Sequence, residues 1–387
     1  VDLDFTLREE EFRRIARSWL QDNVPAAPLA SMDTAEGFEQ HRAWERALST
    51  GGWSAVSWPV EYGGQGANLI EWLIFEEEYY RAGAPGRVNQ NGIFLLAPTI
   101  IDLGTDEQKA RFLPSMASGD EIWCQGWSEP DAGSDLAAIR SRAVRDGDDY
   151  VLDGQKTWCS RGAFADWMFG LFRTDPAAER HRGLTFILVP MDADGVTVRP
   201  IPQLDGETGF AEVFLDGVRV PAANVVGEQD RGWRVAMATA GFERGLSLRS
   251  PARYTETAGR LVDLFVRVGG TADPALRGDV VQAWMDAEAY RLHTYWTVSR
   301  IIDGGAIGAE ASLNKLWWSE MDVRMHETAL RLLGSSAELV GQAPGAVDDG
   351  RWLDGFLFAL AGPIYAGTNE IQRNVVADRV LSLPRSS

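Results

Sequence analysis

Cysteine, histidine and long apolar runs are scarce in this chain, and each scarcity closes off a class of protein. Only Cys124 and Cys159 occur among 387 residues, in apolar or aromatic surroundings and without metal-type spacing. A disulfide framework and a thiolate metal site are therefore disfavoured, and two core thiols point to a cytoplasmic address. His41, His181, His293 and His326 stand far apart with no paired spacing, so each is expected to be structural. No run of about eighteen apolar residues occurs, and Val1-Asp2-Leu3-Asp4 is acidic with no apolar leader, so neither a membrane span nor secretion is expected. Basic residues are also short: 37 Lys and Arg against 56 Asp and Glu give a formal charge of −19. That balance opposes any general attraction to nucleic acid or an anionic membrane. There is no GxGxxG, no GxxxxGK(S/T) and no parallel βαβ alternation, which disfavours a nicotinamide-type Rossmann site.

What is present is a folded-protein composition, 45% apolar, enough for two or three cores. The pattern divides the chain at 1–120, 121–228 and 229–387. In the first part, Phe12, Ile15, Ala16, Trp19 and Leu20 recur at helical spacing behind a Thr6/Glu9 capping box, and Val24-Pro25 ends that helix. Further helices are expected over 36–48, from Asn68 onward, over 93–103, and over 106–118 behind a second box at Thr105/Gln108. The run Glu76-Glu77-Glu78 reads as a solvated face. From Glu121 the pattern changes to short extended runs at 138–144, 150–159, 167–173, 184–190, 196–201 and 211–215, separated by Asp-Gly turns. They predict a middle antiparallel β domain. Helical periodicity then returns over 233–268, with Pro251 as an expected kink, and over 275–303, 307–333 and 368–381, which predicts a four-helix bundle.

The chemistry concentrates in two polar knots at the ends of extended segments: Ser128 to Asp135, and Trp158 to Gly162. Each mixes small residues, hydroxyls and a large aromatic, which suits close backbone approach to a flat, phosphate-bearing ligand. Two ordinary sheet-end turns are the alternative. Trp158 could cover an aromatic ring face, and Ser128 or Ser160 could hydrogen-bond a ring nitrogen. The helix start at Thr368 offers N–H donors. In the last part Glu243 stands out, because its neighbours Ala236, Met237, Ala240 and Leu246 would leave a carboxylate poorly solvated and suited to a general base. A plain ion pair with Arg244 or Arg249, or a solvent-facing position, is the structural alternative.

With these segments in order, the chain resembles the acyl-CoA dehydrogenase family over nearly its whole length. The resemblance rests on WPVEYGGQG at 58–66, GTDEQKARFLP at 104–114, WSEPDAGSDL at 127–136, DGQKTWCSRG at 153–162, FERG at 242–245 and YAGTNEIQRNVVADRVLSLPR from 365. It implies an α+β, acyl-CoA dehydrogenase-like fold: an N-terminal all-helical domain, a middle antiparallel β domain and a C-terminal four-helix bundle. It also implies FAD. Gln125 to Ser134, with Gly133 among them, would lie along the cofactor, Trp127 and Ser128 at the flavin ring and Ser128 near N5. Trp158, Cys159 and Ser160 would lie on the other side, while Thr368 and Glu370 would also reach the cofactor. Ser134, Arg244 and Gly367 match positions that touch acyl-CoA. In the family reaction a carboxylate removes an α proton of the thioester while the β hydrogen leaves as hydride to flavin N5, giving a trans-2-enoyl-CoA. The electrons pass to an electron-transfer flavoprotein.

The departures from the family pattern are informative. Many members place the catalytic glutamate immediately before the GT of the last motif, where this chain has Ala366. A second subgroup carries it on the first bundle helix, at the position of Glu243, which the resemblance therefore assigns as the base. Two segments that contact a neighbouring subunit's FAD in relatives are altered: one is replaced by the short 269–279 connection, the other reads Arg331-Leu332-Leu333-Gly334-Ser335. That asymmetry resembles steroid-degrading relatives built from two different subunits. The expected assembly is thus a homo-oligomer (dimer or tetramer) or a heterotetramer with a second acyl-CoA dehydrogenase-like subunit. A flavin monooxygenase or nitroalkane-oxidase-type enzyme on the same fold, and a non-catalytic partner subunit, are the alternatives.

Overall fold

The computed structural model describes residues 4–244, 250–268, 273–305, 308–341 and 343–384, the side chains of 242–244 excepted. In chain order the helices α1 (Leu7–Asn23), α2 (Ala35–Thr50), α3 (Leu69–Arg81), α4 (Ala97–Leu103) and α5 (Asp106–Ser118) come first. The strands follow: β1 (Trp123–Gly126), β2 (Arg142–Asp146), β3 (Asp149–Ser160), β4 (Trp167–Arg173), β5 (Leu184–Pro190), β6 (Val196–Ile201), β7 (Phe210–Pro221) and β8 (Val225–Val226). Last are α6 (Gly232–Arg244), α7 (Pro251–Arg267), α8 (Pro274–Ile302), α9 (Ala311–Leu333), α10 (Arg351–Ala359) and α11 (Asn369–Val375). These elements form two compact units: a sheet unit of 21–68 and 84–243, and a helical unit of 1–20, 69–83 and 244–387.

In the sheet unit the strand order is β6-β7-β3-β2-β4-β5-β8, with β1 beside β4. The sheet is mixed rather than purely antiparallel, since β1 runs parallel to β4, and β2 meets β4 in parallel at Arg142/Arg173. Neither pair is joined by a hairpin. A parallel pair needs a long crossover, which alternation along one segment does not reveal. One sheet face buries Cys124, Tyr150, Leu152, Met168, Ile187, Val213 and Val220. Helix α5 packs Phe112 edge-on against the stacked pair Trp123 and Trp167, all ring centroids lying 5.3–5.4 Å apart. Its bounds match the expectation because the capping box starts it and Gly119, at φ 74°, stops it.

In the helical unit a core of Tyr254, Leu261, Tyr290, Trp318, Met325 and Trp352 joins α7, α8, α9 and α10. The stretch expected as one kinked helix over 233–268 is two helices, and residues 245–249 between them lie outside the described residues. Pro251 starts α7 instead of bending a longer helix; at the first helical position its missing N–H costs nothing. The expectation of a solvated Glu76-Glu77-Glu78 face is also corrected: Glu76 and Glu78 are buried, and Glu78 accepts hydrogen bonds from Arg13, Arg17 and Arg81. Guanidiniums of Arg13 and Arg17 on α1 and of Arg81 on α3 replace the water that Glu77 and Glu78 would otherwise require.

Candidate active site

In the sheet unit the two sequence knots come together. β1 ends at Gly126 and leads through Trp127 and Ser128 into a tight turn, where Glu129 and Ala132 exchange two backbone hydrogen bonds of 3.0 Å. On β3 the ladder with β7 slips after Lys156, so that Thr157 and Trp158 face the single residue Glu212. This bulge reverses which residues point inward. Trp158 is thrown outward, 59% exposed, at φ 60°, a left-handed conformation that a bulky side chain adopts only when its surroundings impose it. Cys159 turns inward and is fully buried in the sheet core, so only its backbone is available to a ligand. The Thr157 N–H leaves the ladder and donates to the Ser128 carbonyl at 2.9 Å, joining the two knots.

Trp127 is buried, edge-on to Phe169, and its indole Nε1 lies buried with no hydrogen-bond partner among the described residues. A donor in that condition is open to an acceptor from outside the chain. Gln125, Ser128 and Ser160 are half-buried; Gly133 and Ser134 are exposed on the turn. An outward indole ring, an orphaned indole N–H and half-exposed hydroxyls on linked knots fit a flat cofactor of the FAD type.

The electrostatics beneath the knots are unusual for a sheet. Lys156 is wholly buried and donates to Glu129 at 2.8 Å and to the Leu171 carbonyl at 2.7 Å. Burial pushes the Glu129 carboxyl up, but Lys156 and the N–H of Arg140 outweigh it and hold the group below its ordinary range. The Cys159 thiol is pushed up to about 12 by burial, against the opposing pull of Lys156. Arg161, also in a left-handed conformation, faces Asp33 at 3.3 Å.

The helical unit holds the remaining motif. Ala366 and Gly367 take successive left-handed conformations, φ 57° and 78°, which turns the chain into α11. Thr368 caps that helix, accepting from the Ile371 N–H at 3.2 Å. Gln372 holds the turn by donating to the Ala366 and Gly367 carbonyls at 3.0 and 3.2 Å. Asn369 is pinned by Lys315 at 2.7 Å and Ser319 at 3.1 Å, and Glu370 is exposed. Ala366 brings no acid to this turn. Glu243 and Arg244 are the last residues of α6, and their side chains lie outside the described residues.

Sequence reasoning missed the residues that hold the site: Glu129 and Lys156 under the knots, and Lys315 and Gln372 behind the 366–368 turn. Nothing in the letters marks the first pair, since only the fold shows Glu129 and Lys156 to be buried. Of the four histidines, His41 bonds the Gly86 and Ala30 carbonyls, His326 sits against Asp322, and His181 and His293 contact the rings of Trp233 and Trp296. Among the described residues no cluster could hold a metal ion, and no helix is long and apolar enough to cross a membrane.

Comparison with known proteins agrees with this architecture. The family model for the acyl-CoA dehydrogenase N-terminal domain matches residues 6–120, that for the middle domain 124–218, and that for the C-terminal domain 230–381. The acyl-CoA dehydrogenase IpdE1 of Mycobacterium tuberculosis is 41% identical over 388 residues, covering 98% of each chain. FadE26 of the same organism is 35% identical, covering 100% of this chain and 99% of its own. Among solved structures, the Tcur3481-Tcur3483 steroid ACAD matches with a TM-score of 0.88 at 31% identity, over 100% of both chains. The ChsE4-ChsE5 complex from Mycobacterium tuberculosis matches with a TM-score of 0.84 at 34% identity, again over 100% of both. The chain belongs to the acyl-CoA dehydrogenase family.

Proposed function

We propose that this enzyme is an FAD-dependent acyl-CoA dehydrogenase that converts an acyl-CoA thioester to its trans-2-enoyl-CoA, with Glu243 as the base. The observation that carries the cofactor assignment is the linked pair of knots, with the orphaned Trp127 Nε1–H and the outward Trp158 ring. When bound, FAD supplies the acceptor for the β hydrogen as hydride. The Trp127 indole donates to an acceptor on the cofactor, Trp158 covers a ring face, and the Ser128 and Ser160 hydroxyls orient ring heteroatoms. Gln125, Gly133 and the Cys159 backbone complete the lining, and Thr368 and Glu370 serve the same cofactor. Ser134, Arg244 and Gly367 hold the acyl-CoA.

The base assignment rests on exchange. Ala366 cannot accept a proton, and α6 ends with a carboxylate at Glu243. Removing a proton α to a thioester requires a positioned, partly desolvated carboxylate. The substrate acyl group is bulky or branched, of the steroid side-chain kind, and the working assembly contains a second acyl-CoA dehydrogenase-like subunit. Support for both comes from relatives named as a steroid ACAD and as a two-protein complex. Electrons leave through an electron-transfer flavoprotein.

Anaerobic titration with a panel of thioesters, from short branched chains to steroid side chains, tests this reading through loss of flavin absorbance. At least one thioester should bleach the flavin, and Glu243→Gln should slow that step by about 10²- to 10⁴-fold. Bound flavin that no thioester reduces would favour an oxidase or monooxygenase. An unaffected Glu243→Gln complex would remove the base and favour a support subunit. A homotetramer with stoichiometric FAD, obtained from this chain alone, would remove the need for a partner.

A further inference from the structure

We propose that the buried Glu129–Lys156 pair is a positioning device that sets the two knots in their ligand-ready arrangement and thereby controls cofactor affinity. The inference rests on the reading that FAD occupies the knot surface. Sheet hydrogen bonding links the two knots only indirectly, because β1 pairs with β4, β3 pairs with β2 and β7, and β2 meets β4 at the single pair Arg142/Arg173. Among the described residues no ladder joins the first knot directly to the second. The tie comes from two adjacent contacts: Thr157 N–H to the Ser128 carbonyl at 2.9 Å, and Lys156 Nζ to Glu129 Oε1 at 2.8 Å.

Glu129 also gathers the chain that closes the first knot, accepting from the Arg140 N–H at 2.6 Å and the Ser141 N–H at 2.9 Å. Lys156 is anchored in turn by the Leu171 carbonyl on β4 and by the Phe172 ring, 4.9 Å from Nζ. One carboxylate and one ammonium thus connect β3, β4 and both knots. The bulge that expels Trp158 begins at the next residue after Lys156, so the ammonium anchors the strand at the residue where the bulge starts. Stability alone gives little reason for such a pair, since apolar residues of equal volume commonly serve a core as well as a buried ion pair. Directional bonds set register, which apolar packing does not. The net lowering of Glu129 agrees with a carboxylate that stays ionised in place.

The test uses the full-length chain in its working assembly, with any second subunit present, stripped of FAD, and FAD affinity is read by flavin fluorescence below the lowest melting temperature. Variants are Lys156→Met, Glu129→Gln and the double. Each single variant leaves one buried partner without its counterpart, so circular dichroism first establishes that it folds; the double, which leaves no buried charge, keeps the test open should a single variant fail to fold. Each single variant is expected to weaken FAD binding by roughly tenfold or more, and the double by little beyond the worse single, because both act through one contact. FAD affinities within about twofold of wild type, with only the melting temperature lowered, would make the pair a plain structural contact and overturn the proposal. Wild-type protein that binds no FAD would overturn the cofactor assignment itself, an outcome distinct from unchanged affinity in the variants.

Discussion

Replacing Glu78 with glutamine tests the corrected view of the acidic run on α3. The Glu78 side chain is 1% exposed and accepts from Arg13 Nη1 at 2.9 Å, Arg17 Nε at 2.8 Å and Arg81 Nη1 at 2.8 Å. Arg13, itself 12% exposed, also bonds Glu77 at 2.9 Å, and Glu77 accepts from the Tyr295 hydroxyl at 2.7 Å. Glutamine keeps the volume but leaves these guanidiniums short of one negative charge. Breaking a buried ion pair from one side costs about 3–5 kcal/mol. Arg17 and Arg81 are 46% and 59% exposed, so water takes up part of the loss and the lower end, about 3 kcal/mol, applies. Unfolding entropy of about 2.1 cal/mol/K per residue over 387 residues gives about 0.8 kcal/mol/K, and hence a melting temperature lower by about 4 °C.

Acid adds a second readout. Burial pushes the Glu78 carboxyl up, but hydrogen bonds from Arg17 and Arg13 outweigh it, and the group sits below its ordinary range. A carboxylate depressed in the folded state contributes stability that is fully present above its unfolded value, about 4.3, and is lost as pH falls through the folded value. The gap between wild type and Glu78→Gln should therefore be full at neutral pH and close below about pH 4. Calorimetric melting across pH measures both. A neutral-pH shift under about 1 °C, the size expected of an exposed glutamate, would refute the buried cluster, and so would a gap that persists undiminished into acid.

Trp127→Phe should separate two roles of one side chain. Removing a buried donor that has no partner among the described residues offsets part of the packing lost with the smaller ring, so FAD-free protein loses little in thermal melts, while the lost hydrogen bond weakens FAD by about 2- to 10-fold in fluorescence titration. Equal loss in both would assign the N–H to the fold. Cys124 and Cys159 should resist a thiol reagent at about pH 8 in native protein and react as two equivalents once denatured, since both are buried and Cys159 is pushed up to about 12. Rapid native labelling, followed by absorbance, would contradict the packing of the sheet core.

What the sequence disclosed depended on whether the cause was local. α5 lies on its expected bounds because Thr105, Gln108 and Gly119 carry their own start and stop signals. β4, β5 and β6 also fall where apolar runs between turns put them. β1 does not announce itself: Trp123-Cys124-Gln125-Gly126 has no alternation, and its parallel partner lies more than forty residues on. The acidic run misled because its counter-charges sit on α1, about sixty residues away. α10 went unread because Gly355 interrupts its sequence, yet a Cβ there would lie 2.3 Å from His326 Nε2, so close packing demands the glycine. Only the fold supplies that reason.

The same distinction divides the two motifs that carry the cofactor assignment. In WSEPDAGSDL and DGQKTWCSRG, the residues that stand out by chemistry are the aromatics and hydroxyls, and the structure half-buries or exposes Ser128, Trp158 and Ser160. Glu129 and Lys156 look like ordinary surface charges in a string of letters, but both are buried and bonded to each other. A motif read as one list of ligand contacts therefore merges two kinds of residue: those that meet the ligand, and those that fix the backbone from which the first kind projects. The two kinds respond oppositely to substitution. Changing a presented residue alters one interaction and leaves its neighbours in place, whereas changing a tie displaces every group mounted on it. Trp158 shows the dependence most directly, because its outward ring requires a left-handed backbone, and the bulge producing that backbone starts beside Lys156.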